Sequence, residues 1–131
     1  MNAQAAEAMV GSPMHQAYAS VAPKPEEWPT LVAKVGQLVS QDYDWSIDVA
    51  KIQAPALIVI GDADGISPAN AAEFFGLLGG GKKDAGWDGS GMSNSRLAIL
   101  PATTHYNIIS SPILASIVTS FLDAPMPKDQ S

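Results

Sequence analysis

The stretch Ala56-Leu57-Ile58-Val59-Ile60-Gly61-Asp62-Ala63-Asp64-Gly65 decides the fold. Five apolar residues, three of them β-branched, follow Pro55 without interruption. Such a run suits a strand buried on both faces, as in a parallel sheet. Gly61 to Gly65 reads as a turn. Ser67-Pro68 then gives an N-cap followed by proline at the first helical position. The helix it opens runs through Phe74, Phe75, Leu77 and Leu78, and Gly79-Gly80-Gly81 stops it. Residues 79–95, rich in Gly, Ser, Lys and Asp, read as a mobile surface loop. Arg96-Leu97-Ala98-Ile99-Leu100 gives a second buried strand. Ser111-Pro112 is expected to open a last helix carrying Ile113, Leu114, Ile117, Val118, Phe121 and Leu122 on one face. Pro125 and Pro127 end order, leaving a tail over 125–131. A strand–helix–strand crossover implies parallel neighbours and an α/β layer.

The residues before this core read as helices. Ala3 to Val10 is Ala-rich and favours helix. Ser12-Pro13 opens a short helix through Met14, Tyr18 and Val21. Pro25 opens a longer one, with Pro29 tolerated in its first turn. In it Trp28, Leu31, Val32, Val35, Leu38 and Val39 recur at helical spacing and form one apolar stripe. That stripe reads as a buried helix face, with a substrate-pocket wall as the alternative. Asp44 to Ala54 is a connector with one turn of helix, whose Trp45, Ile47, Val49 and Ile52 are expected to cover the core edge.

Composition excludes several functions. At 131 residues the chain is one domain or less. A hydrophobic fraction of 47% with 15% charged residues fits a globular protein. The net charge of −6 with only seven basic residues argues against nucleic acid or an anionic membrane as partner. With no cysteine there is no disulfide, thiolate catalysis or Cys-based metal site. Met1 to Val10 has neither a basic nor an apolar signal region, and no apolar run reaches transmembrane length, so a cytoplasmic protein is expected. No cofactor and no metal is expected, since His15 has no second histidine nearby and Asp62-Ala63-Asp64-Gly65 lacks the later acids of a calcium loop.

Two residues carry candidate chemistry. Asp64 lies four residues past Ile60, in a Gly-flanked turn beyond the carboxyl end of a strand, where functional groups of open α/β sheets collect. His105 follows the second strand, after Thr103 and Thr104, at the equivalent place. Aspartates are also ordinary turn formers, and a lone loop histidine is commonly a surface residue. As a pair they can do more: a histidine takes a proton through one ring nitrogen while the other donates to an aspartate that stabilises the imidazolium.

Residues 52–124 resemble the C-terminal half of an α/β-hydrolase. Ile52 to Asp64 is similar to that family's penultimate strand and acid turn. Leu97 to His105 is similar to its last strand and histidine loop, and Pro112 to Ala124 to its closing helix. The order acid then histidine matches the tail of the family's Ser…Asp/Glu…His sequence. The resemblance implies a partial α/β-hydrolase fold: two parallel strands with flanking helices, plus a helical cap-like region over residues 1–51. It implies Asp64 as catalytic acid and His105 as catalytic base.

The family's nucleophile elbow, Gly-x-Ser-x-Gly, is absent. The nearest stretch, Gly65-Ile66-Ser67-Pro68-Ala69, sits between strand and helix, but Pro68 lacks the N–H that would bind the oxyanion. Ser67 reads as a helix cap. Ser90 and Ser93 have no strand–helix context. Gly76-Leu77-Leu78-Gly79-Gly80-Gly81-Lys82-Lys83 nearly spells a phosphate loop, but Lys83 stands where Ser or Thr is needed, and the glycines end a helix instead of opening one.

Two strands make a poor free-standing sheet. The chain is therefore expected to self-associate through its open sheet edges, as a homodimer for example, or to pair with a missing N-terminal hydrolase half. Two functions follow. One is a serine-hydrolase-like protein for esters or related small molecules, holding two triad members and inactive alone. The other is a non-catalytic oligomerising or small-ligand-binding remnant that uses the stripe and Trp28 as a pocket.

Overall fold

In the computed structural model, which describes residues 3–125, β1 (Leu57–Gly61) and β2 (Arg96–Leu100) pair in parallel. The register sets Leu57 opposite Arg96 and Gly61 opposite Leu100, so both strands end level. The Arg96 N–H donates to the Ala56 carbonyl at 2.8 Å and starts the ladder. Among the described residues no further strand joins, and each strand keeps one open edge. The described residues form a mixed α/β fold with six α-helices and this two-stranded sheet.

The chain divides into two compact units between Asp44 and Trp45. In the first, α1 (Ala3–Ala8), α2 (Pro13–Val21), a 3₁₀ turn (Pro25–Glu27) and α3 (Trp28–Val39) enclose a small core. Ser12 caps α2 by accepting the His15 N–H. Trp28, 4% exposed, packs with Ala6 and Val32, and its indole N–H donates to the Ala6 carbonyl at 3.0 Å. Tyr18 and His15 pack their rings against the same indole. Burying one large aromatic contributes about 3 kcal/mol and removes its N–H from water, so the carbonyl partner is needed.

Two expectations for this unit change. The helix from Pro25 begins as a 3₁₀ turn and becomes α-helical only at Trp28. The stripe on α3 is also narrower than its spacing implies. Trp28, Val32 and Gly36 are buried at i, i+4 and i+8, while Leu31, Val35, Leu38 and Val39 are exposed. Trp28 is thus a core residue held by its own hydrogen bond, which removes it as the wall of an open pocket.

In the second unit, α4 (Ser46–Val49) packs on α5 (Pro68–Leu77), and α5 packs on both strands. Ser67 caps α5: its hydroxyl accepts the Asn70 N–H at 3.2 Å, as the Ser-Pro signature requires. Of the connector residues expected to cover the core edge, only Val49 is buried; Trp45, Ile47 and Ile52 are exposed. Ile60, Ala71 and Leu100 are buried, gathered toward the carboxyl ends of the strands. The last helix, α6 (Leu114–Leu122), starts two residues later than Ser111-Pro112 implies. The Ser111 hydroxyl does not cap it; instead the Ser111 carbonyl accepts the Leu114 N–H in a turn that follows a 3₁₀ segment (Ile108–Ser110). Beyond Pro125 the expected tail lies outside the described residues.

Candidate active site

The level ends of β1 and β2 launch two loops, and three hydrogen bonds lace them together. The Asp62 N–H donates to the Leu100 carbonyl at 3.0 Å, extending the ladder one step. The Ala63 N–H donates to the Thr103 carbonyl at 3.0 Å. The Thr103 N–H returns to the Asp62 carboxylate at 3.2 Å. The Thr103 hydroxyl donates to the Pro101 carbonyl at 3.0 Å, closing the turn from its own side. Thr103 is buried in this lacing.

Gly61 is what lets the loops come so close. A Cβ built there would stand 2.0 Å from the Thr103 carbonyl oxygen, a distance no side chain tolerates. The requirement is close approach, not an unusual backbone conformation. Ala102, one residue before Thr103, has φ of 50°, the left-handed region that favours glycine. A non-glycine residue held there costs about 1 kcal/mol, a strain the surrounding bonds must over-determine.

The loops bring Asp64 and His105, 41 residues apart, face to face. His105 Nδ1 lies 3.2 Å from both Asp64 carboxylate oxygens. The Asp64 side chain is 4% exposed and that of His105 62% exposed, so the acid sits behind the histidine. One Asp64 oxygen also accepts the Ile66 N–H at 2.9 Å, which fixes the carboxylate in its turn. His105 is placed by its neighbours: Thr104 donates its N–H to the Asn107 side chain at 2.7 Å and accepts N–H groups from Tyr106 and Asn107 with its hydroxyl. The Tyr106 ring meets the imidazole edge-on at a centroid distance of 5.9 Å.

With Nδ1 donating to Asp64, the Nε2 lone pair is left to accept a proton. A buried carboxylate behind an exposed imidazole is an arrangement for moving a proton at Nε2. Among the described residues no group of three His, Cys, Asp or Glu side chains could hold a metal ion. His15 is occupied elsewhere: its Nδ1 accepts the Gly11 N–H at 3.2 Å. Ser67, between β1 and α5, spends its hydroxyl on the cap.

Asp62 and Asp64 divide the labour: Asp62 ties the histidine loop down, and Asp64 faces the histidine. Sequence reasoning places Asp64 and His105 but gives Asp62, Thr103 and Thr104 no part in holding the site. A Thr-Thr pair directly before a loop histidine is a legible signal, because threonine hydroxyls build such turns. Comparison with protein-family models, with curated proteins and with solved structures returned no match to this chain.

Proposed function

We propose that this chain supplies the acid and base of an α/β-hydrolase-type triad, acting on an ester or related small molecule with a serine carried on a different segment or polypeptide. The observation that supports this most is the buried Asp64 carboxylate 3.2 Å from Nδ1 of an exposed His105. His105 Nε2 takes the proton of the attacking serine hydroxyl as its oxygen adds to the substrate carbonyl. Asp64 stabilises the imidazolium, which returns the proton to the departing alkoxide. Water then cleaves the acyl-serine with the same base. No serine of this chain has the context to be that nucleophile, so the chain alone turns nothing over.

Fluorophosphonate labelling tests the reading. The purified chain should stay unlabelled. A partner that co-purifies with it from cells expressing it natively should be labelled, and His105→Ala should abolish that labelling. Stoichiometric labelling of the chain itself, or labelling of the partner indifferent to His105→Ala, would contradict it.

The open strand edges favour a second, compatible feature, association with another chain. Two copies joined edge to edge form a four-stranded sheet, consistent with a symmetric homodimer. A folded monomer by light scattering at micromolar concentration would rule out the dimer.

A further inference from the structure

The loop between α5 and β2 forms a cleft of about 620 Å³ near the start of β2. Lys82, Lys83 and Arg96 line it, three of the chain's seven basic residues, and no carboxylate does. Two cations elsewhere are matched: Lys24 pairs with Glu27, and Lys51 with Asp48. Among the described residues Lys82, Lys83 and Arg96 make no ion pair. Arg96 is partly buried, and its guanidinium is anchored by donating to the backbone carbonyls of Ser93 and Ser95, the latter at 2.9 Å. A fixed, partly desolvated cation with only neutral partners favours an anion beside it.

The loop's own two acids keep their charge, and each accepts a backbone N–H. Asp84 accepts the Gly86 N–H at 2.8 Å and Asp88 the Ser90 N–H at 3.1 Å. Neither lines the cleft. In a chain of net charge −6, this is a local inversion of sign. The lining also carries apolar side chains: Phe75, Met92 and Leu97. Gly80 lies against the Phe75 ring, where a Cβ would stand 2.1 Å from it, so ring and loop are closely fitted. The volume falls within the about 300–1,000 Å³ usual for small-molecule sites.

We propose that this cleft binds a phosphate monoester of a compact aromatic or apolar alcohol. Lys82, Lys83 and Arg96 take the dianionic head, and Phe75, Met92 and Leu97 take the body. The near phosphate-loop spelling of Gly76 to Lys83 does not build this site as a P-loop would, because its glycines follow a helix. The lysines act as side-chain charges. The cleft sits at the start of β2, about 13 Å of strand from the loop bearing His105, so it stands independently of the hydrolase reading.

The test is an amide chemical-shift titration of the full chain with phenyl phosphate, inorganic phosphate and phenol. Phenyl phosphate should shift residues 75–97, and bind about tenfold more tightly than inorganic phosphate, with phenol weaker still. K82E/K83E, at exposed positions, should keep the wild-type spectrum outside the loop and weaken phenyl phosphate at least about tenfold. Equal affinity for phenyl phosphate and phosphate, binding unchanged in K82E/K83E, or shifts confined elsewhere would overturn the proposal.

Discussion

The Asp62 carboxylate accepts the Thr103 N–H at 3.2 Å, a bond that spans 41 residues and joins the acid turn to the histidine loop. It sits one strand-step past the last ladder bond, in the same lacing that sets Asp64 behind His105. The geometry of the candidate pair therefore depends on a residue that touches neither member.

Asp62→Ala removes the acceptor and leaves the Thr103 N–H without its partner. The expected cost is about 1–2 kcal/mol of stability, measured by urea unfolding. The His105 ring signals should shift in the same variant, while those of His15, in the other unit, stay fixed. An Asp62→Ala protein with wild-type stability and unmoved His105 resonances would show that the clamp is idle.

Gly61→Ala should cost about 3 kcal/mol or more, because its Cβ meets a backbone carbonyl that cannot rotate away. Gly65→Ala is the matched control: nothing lies within 4 Å of a Cβ there, and the change should stay within about 0.5 kcal/mol. Equal effects at the two glycines would mean that the loops do not approach as closely as described.

The contrast between these glycines shows what the sequence carries and what it does not. Continuous apolar runs at Leu57–Ile60 and Leu97–Leu100 were sufficient for two parallel strands, but not for burial on both faces: only Ile60 and Leu100 of these runs are buried, and Ile99 is exposed, because a two-stranded sheet has too few layers to cover them. Ser67-Pro68 was sufficient for a cap. The same dipeptide at Ser111-Pro112 was not, since a preceding 3₁₀ segment draws its carbonyl into a turn and delays the helix to Leu114. The α3 stripe was too wide because a small unit has too little interior to cover Leu31, Val35, Leu38 and Val39. Asp64 and His105 were legible from their positions after strands. Asp62 was not, because its role lies in a long-range contact that local turn propensity hides.

The loop over 79–95 has its own pH signature. The Ser90 backbone N–H, and secondarily the Ser90 side chain, hold the Asp88 carboxyl below its ordinary value. A depressed folded pKa contributes stability that is present above the unfolded value, about 3.9, and lost as pH falls through the folded value. The turn at Asp88 should therefore persist through neutral pH and open only in acid. Carboxyl-carbon NMR titration of Asp88, followed with the Ser90 amide, reads this directly. An Asp88 midpoint at or above the ordinary aspartate value would contradict it.

The central claim is that Asp64 holds His105 with Nδ1 protonated and Nε2 free for a proton. Imidazole ¹⁵N NMR tests it most directly, on the neutral rings, in wild type and in Asp64→Ala. The chain contains its own reference, because His15 Nδ1 accepts the Gly11 N–H and that ring must carry its proton on Nε2. The account predicts opposite tautomers in one molecule, Nε2–H for His15 and Nδ1–H for His105, with Asp64→Ala altering His105 alone. A His105 ring that carries its proton on Nε2, or that is indifferent to Asp64→Ala, would contradict it.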